Sequence, residues 1–171
     1  MQNINKTAKV FQYITVISMV LWLGTYLSRL LLTYQLFLPK DYLLKSFVTP
    51  SNLGGIFTTI NSSVTVTLIL FPVFFVSFVL FLFASKVNLK QEGWLFIILL
   101  VVFITAPFEA YLMTIDYNVV MRVFYGNFDP NLILQLYIKR LKVLGSFPLI
   151  EIFSYLGVIY FAIFQPLKMK K

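Results

Sequence analysis

The sequence predicts an all-α fold, an integral membrane four-helix bundle with a short interfacial helix before helix 4, on three observations. Four apolar stretches, at 10–37, 56–85, 94–115 and 143–166, each exceed the roughly 20 residues that an α-helix needs to cross about 30 Å of hydrocarbon. Sixty per cent of the residues are hydrophobic and 12% are charged, with a mean hydropathy of +0.88, so the bilayer is the solvent for most side chains. Lipid offers backbone amides no partner, and apolar runs of this length without polar alternation satisfy them as helices rather than as a barrel. A single transmembrane domain, 1–171, follows.

Helix 1 follows a polar tail that ends at Lys9. Lys6 and Lys9 ahead of an apolar run resemble a secretory signal, but no small-x-small cleavage site follows and the run continues past Tyr26, so the helix is read as retained. A helix over 10–37 is longer than the hydrocarbon requires and implies tilt or projection, ending before Pro39. Thr49–Gly55 reads as a turn with Ser51 as N-cap of helix 2, ahead of Gly54 and Gly55. The polar hairpin Lys86–Gly93 makes helices 2 and 3 antiparallel neighbours, and Trp94 marks an interface. Between Asp116 and Lys142 charges mix with apolar residues. There Asp129-Pro130 has the form of an N-cap followed by proline at the first helical position. From about 130 to 140, apolar Leu132 and Leu136 with basic Lys139 and Arg140 suit a helix on the membrane surface. No internal repeat is present.

The formal net charge is +8, and the chain contains neither Cys nor His. Thiolate and imidazole are therefore unavailable as ligands for zinc, copper, iron–sulfur clusters or haem, so no metal or cofactor is expected. Nucleophilic chemistry of the Cys–His or Ser–His kind is excluded on the same ground. Nucleic acid is not an expected partner, because the cations lie at helix ends and short loops, where Lys and Arg meet anionic headgroups. The bilayer is. Calling the N-terminal side A, Lys6, Lys9, Lys86, Lys90, Lys168, Lys170 and Lys171 fall there. Lys40, Lys45, Arg122, Lys139, Arg140 and Lys142 fall on the opposite side, B. The C-terminal lysine cluster tips the assignment towards a cell-membrane protein with both termini cytoplasmic.

Charges inside membrane spans are costly, by about 2.5–3.5 kcal/mol each, and face a bundle interior or an aqueous cavity. Arg29, Glu109 and Glu151 are three such residues, and the direction of each helix places all three in the B half. On helix 1, Thr15, Ser18, Trp22, Thr25, Arg29 and Thr33 recur at intervals of three or four and share a stripe; Thr105, Glu109, Met113 and Asp116 do so on helix 3. The first turns of helix 2 are rich in Ser and Thr, including Thr58 and Ser62, so their polarity is skewed to the same half. Pro72, Pro107 and Pro148 each interrupt a helix and free a carbonyl. Three outcomes are open: a buried ion pair in which Arg29 neutralises Glu109 or Glu151 while Ser and Thr hydrogen-bond between helices, a B-side ligand or substrate pocket, or a proton or ion path. Trp22, Tyr117, Tyr125 and Tyr137 are expected as packing or interface aromatics.

The run Gly24-Thr25-Tyr26-Leu27-Ser28-Arg29-Leu30, followed by Tyr34-Gln35, with Trp94-Leu95 and Phe108-Glu109, resembles the small four-helix, haem-binding protoporphyrinogen oxidases of bacterial membranes. Trp22-Leu23-Gly24 and the basic lead-in to helix 4 resemble, more loosely, the anthrone-oxygenase-like four-helix membrane proteins. Where the oxidase pattern has histidine, this chain has Gln35, Phe96 and Glu109, and Ser28 replaces a proline. The resemblance therefore implies a four-helix architecture with Arg29 directed inward, and implies neither haem binding nor the oxidase reaction.

The function expected on this basis is that of a non-catalytic accessory or structural subunit of a larger membrane complex, packed against other subunits or in a homo-oligomer. The alternative is a membrane enzyme or carrier for a small apolar or amphiphilic ligand, using a polar pocket in one leaflet. In an enzyme, Glu109 or Glu151 would serve as acid or base and Arg29 would hold an anionic group. A carrier would need several copies of the chain, because four helices enclose little aqueous space.

Overall fold

Five helices form in the described residues of the computed structural model, 5–38, 41–126 and 128–168: α1 (Lys6–Gln35), α2 (Leu53–Ser85), α3 (Gly93–Tyr125), α4 (Pro130–Val143) and α5 (Phe147–Phe164). Pro39 and Lys40, expected at the end of helix 1, and Lys170 and Lys171 of the C-terminal basic cluster lie outside the described residues. All four of the longest helices are long and apolar enough to cross a membrane, and the chain is a polytopic membrane protein of the all-α class. Four crossings return the chain to the side on which it began.

Several boundaries differ from the expected ones for identifiable reasons. Helix α1 begins at Lys6 rather than residue 10, so Lys6 and Lys9 ride on its first turns. The third span does not end at Ile115: α3 continues to Tyr125, and its 33 residues extend roughly 50 Å. The extension stays helical because the charge of Asp116 is paired and because Val119 and Val120 are buried against other elements. Arg122 in its last turn also complements the helix dipole. The final span begins at Phe147, not 143, since Leu144–Ser146 turns the chain, with Gly145 at φ +27°. Pro148 consequently lies in the first turn of α5, where its missing N–H removes no helical hydrogen bond, and does not interrupt the span. Pro72 and Pro107 do lie inside their helices.

Ser51 is not the cap of α2. Asn52 occupies that position, and its amide holds the preceding turn: Oδ1 accepts from Thr49 N–H at 2.8 Å and Nδ2 donates to the Phe47 carbonyl at 2.8 Å. Ser51 instead pairs with the Thr49 hydroxyl at 2.9 Å. The amide carries its acceptor and its donors on separate atoms, so it reaches two points of the turn at once. Asp129 does cap α4, accepting from Asn131 N–H at 2.9 Å ahead of Pro130.

Helix α1 packs most extensively on α2, α3 packs between α2 and α5, and α4 lies across α3 and α2 at the B end. Two apolar cores result. The larger, towards side A, is built by α1, α2, α3 and α5 around Trp22, whose indole lies 4.8 Å from the Tyr155 ring and 5.3 Å from those of Tyr26 and Phe71. The smaller, towards side B, joins the end of α1, the start of α2 and the end of α3 to Ile133, Tyr137 and Leu141 of α4; the Tyr137 ring stacks on Phe57 at 5.1 Å. At the A end, Trp94 Nε1 donates to Glu92 at 2.6 Å, and Lys168 approaches the same carboxylate at 3.8 Å. Tyr117 and Tyr125 are exposed, whereas Trp22 and Tyr137 are packed inside.

Lipid is as apolar as this interior, so truncating a core ring is felt mainly as lost contacts and a void. Trp22→Ala should therefore destabilise the bundle by about 3 kcal/mol, and Phe153→Ala, on the exposed face of α5, should have little effect. Unfolding titrations in mixed micelles will measure both.

Candidate functional site

The charged residues of the spans meet at the seam between the two cores. Arg29, less than two turns before the end of α1, directs its guanidinium inward: Nη1 donates to Asp116 Oδ2 at 2.8 Å and to Thr67 Oγ1 at 3.0 Å. Asp116 on α3 uses its other oxygen for Arg140 of α4, whose Nε donates to Oδ1 at 2.7 Å. One carboxylate of α3 thus bridges two guanidiniums from two other helices, α1 and α4. Arg140 also turns Nη2 towards Glu109 Oε1, at 3.9 Å, which is attraction without a hydrogen bond. The Tyr26 ring lies under both cations, 5.3 Å from the Arg29 and 5.6 Å from the Arg140 guanidinium carbon, so its π face adds to their stabilisation.

About two turns deeper along α3 stands Glu109, with Glu151 of α5 beside it. Glu151 of α5 is fully buried and lies beside Glu109 and Tyr26. Both of its oxygens, Glu109 Oε2 and the Tyr26 hydroxyl lack hydrogen-bond partners. Beyond them the aromatic layer of Trp22, Phe71, Phe74 and Tyr155 closes the site from side A, with Tyr155 held to Thr105 by a 3.1 Å hydroxyl pair.

On α4, burial works against the charge of Arg140, but Asp116 and Glu109 outweigh it and hold the guanidinium firmly charged. Burial pushes the Tyr137 phenol above its ordinary range, so that ring stays neutral. Beside Arg29 and Arg140 a cavity of about 10 Å³ remains, lined also by Leu30, Thr33, Tyr137 and Leu141. That is space on the order of one water molecule.

Of the residues singled out in the sequence, the structure brings Arg29, Glu109, Asp116 and Glu151 together. The expected pairing is corrected: Arg29 bonds Asp116, not Glu109 or Glu151, because Asp116 is the acid level with it across α1 and α3. Thr58 and Ser62 do not join the cluster. Both lie on the outward face of α2, and the Thr58 hydroxyl donates to its own helix at Gly54. Thr67, further along α2, supplies the contact instead. The main residue missed is Arg140, grouped with Lys139 as an interfacial cation yet only 7% exposed. Its spacing from Ile133 and Tyr137, and its adjacency to Leu141, put it on the one inward face of α4; that periodicity was the signal.

No family model, curated protein or solved structure matches this chain.

Asp116→Asn removes the charge that faces two buried guanidiniums. The expected loss is about 3–5 kcal/mol, the range for breaking a buried pair, and α4 should come away from the bundle. The chain has no cysteine of its own, so a single Cys at Ile133, fully buried here, reports this directly: a membrane-impermeant thiol reagent should label it in the Asp116→Asn and Arg140→Gln backgrounds and not in the parent.

Proposed function

We propose that this chain is a non-catalytic accessory or structural subunit of a larger membrane assembly. It resides in a cell membrane with both termini cytoplasmic and has other membrane subunits or further copies of itself as partners. The observation that carries this is where the polar groups go. Arg29, Asp116, Arg140 and Thr67 hydrogen-bond chiefly to one another, with Arg140 Nη2 alone left facing Glu109 at 3.9 Å, and the space left beside them, about 10 Å³, admits a water molecule and no organic substrate. The outward faces, by contrast, carry large side chains such as Phe83, Phe153, Tyr160 and Phe164, suited to lipid or partner helices.

The alternative, a carrier or enzyme working in one leaflet, is favoured by one feature: Glu109, Glu151 and Tyr26 keep buried polar atoms without partners. In that case a ligand would be received on α5 and α3 rather than on Asp116, whose two oxygens are both engaged.

Extraction of the natural membrane in a mild detergent separates the two. A subunit should migrate as a defined complex well above the 19.8 kDa of the chain, with photo-crosslinks from positions 153 and 160 to a reproducible partner helix. Recovery as a lone monomer that carries a small molecule would overturn the subunit assignment.

A further inference from the structure

Counting the charges at the seam leaves one carboxyl too many. Arg29 from α1 and Arg140 from α4 are the cations; Asp116 and Glu109 from α3 and Glu151 from α5 are the acids; α2 contributes only the neutral Thr67, and Tyr26, Tyr137 and Tyr155 are the other titratable groups facing them. Asp116 is committed to both guanidiniums through short hydrogen bonds. With every group ionised, a sealed apolar interior would hold a net charge of −1, and the two glutamates, 1% and 0% exposed, would face each other without water. Two carboxylates that share a site do not both ionise.

From this geometry we propose that Glu109 and Glu151 form a proton-binding site, holding one exchangeable proton between them and exchanging it with side B. Three features support it. Glu151 Oε1 and Oε2, Glu109 Oε2 and the Tyr26 hydroxyl all lack partners, and a proton on one carboxyl supplies the missing donor. Among the described residues no group of three or more His, Cys, Asp or Glu side chains is arranged to hold a metal ion, which favours a proton as the missing positive charge. The small cavity between Arg29, Thr33 and Arg140 lies on the B side of the pair, whereas the aromatic layer blocks side A. Binding is a plain transfer: a proton from B-side water forms one O–H bond on the pair and brings the cluster to neutrality, and release returns it to −1. The site does not depend on whether the chain works alone or in a complex, so it stands or falls separately from the subunit assignment.

The test uses the full chain in lipid nanodiscs, with glutamate isotopically labelled on its side-chain carboxyl. Infrared spectra at neutral pH should contain the carbonyl stretch of an un-ionised glutamic acid, about one per chain. The band should vanish in Glu151→Gln and fade in the parent as pH is raised. Because Gln mimics the protonated acid, Glu109→Gln or Glu151→Gln alone should leave the thermal midpoint close to that of the parent, whereas the double variant, which leaves the cluster at +1, should lower it by far more than the sum of the two. Absence of the acid band in the parent would overturn the proposal. So would a thermal midpoint that rises with sodium or potassium while no acid band is present, since a metal cation would then supply the charge.

Discussion

The Asp116 carboxylate, with one oxygen on Arg29 and the other on Arg140, is the contact on which the rest of the arrangement depends. Three ions removed from water carry a desolvation penalty of several kcal/mol each, which is offset only where the hydrogen-bond geometry is good. Here it is: one oxygen for each guanidinium, a second acceptor for Arg29 in Thr67, and a tyrosine face beneath both cations. The consequences are structural. Helix α4 has 14 residues and basic groups in its last turn, too short and too polar to span, yet Arg140 anchors it against the bundle and lets Ile133, Tyr137 and Leu141 complete the B-side core. Helix α3 likewise continues past an aspartate that would otherwise read as the end of a span.

Away from this seam the bundle is held by modest forces. Where core and solvent are equally apolar, helices associate through close packing and a few interhelical hydrogen bonds. In the A half those are Thr15 to Ser77 at 3.1 Å and Thr105 to Tyr155 at 3.1 Å, set among aromatic rings that interlock around Trp22. Most other Ser and Thr hydroxyls in the spans donate to the carbonyl three or four residues back in their own helix, as Ser18, Thr25 and Thr65 do. They satisfy themselves and specify nothing. This division explains why hydroxyl content along α2 was a poor guide to the interior.

The parts of this protein legible in its sequence are those governed by one residue or one segment at a time. Four spans follow from apolar length, the start of α4 from Asp129-Pro130, and the inward direction of Arg29, Glu109, Glu151 and Asp116 from the cost of exposing charge to lipid. Which charge meets which was not legible, because Arg29 and Asp116 are separated by 87 positions and their level in the bundle depends on where each helix begins. Thr58 and Ser62 were misplaced because polarity in the first turns of α2 gives depth and not direction. Arg140 was hidden by its neighbours: beside Lys139 and Lys142, both exposed, it looks like a third headgroup contact until the helical face is followed from Ile133.

Glu151 decides how much more than adhesion this interior has to explain. A bridge of Asp116 between two arginines is sufficient to join α1, α3 and α4, and apolar side chains of similar volume would join them about as well. Glu109 has at least the attraction of Arg140 at 3.9 Å. Glu151 has no such partner; it sits on α5, fully buried, with both oxygens unmatched, and a Leu or Met there would pack without penalty. An outer surface of lipid-facing aromatics accounts for a subunit, but it gives no reason for a fifth charged residue in the interior. A proton shared with Glu109 does, since it converts the one unmatched acid into a hydrogen-bond donor and brings the seam to neutrality. The same count makes α5 the helix whose packing responds to the protonation of the pair: it is tied to the charged cluster through Glu151 alone, while α1, α3 and α4 remain joined by Asp116 in either state.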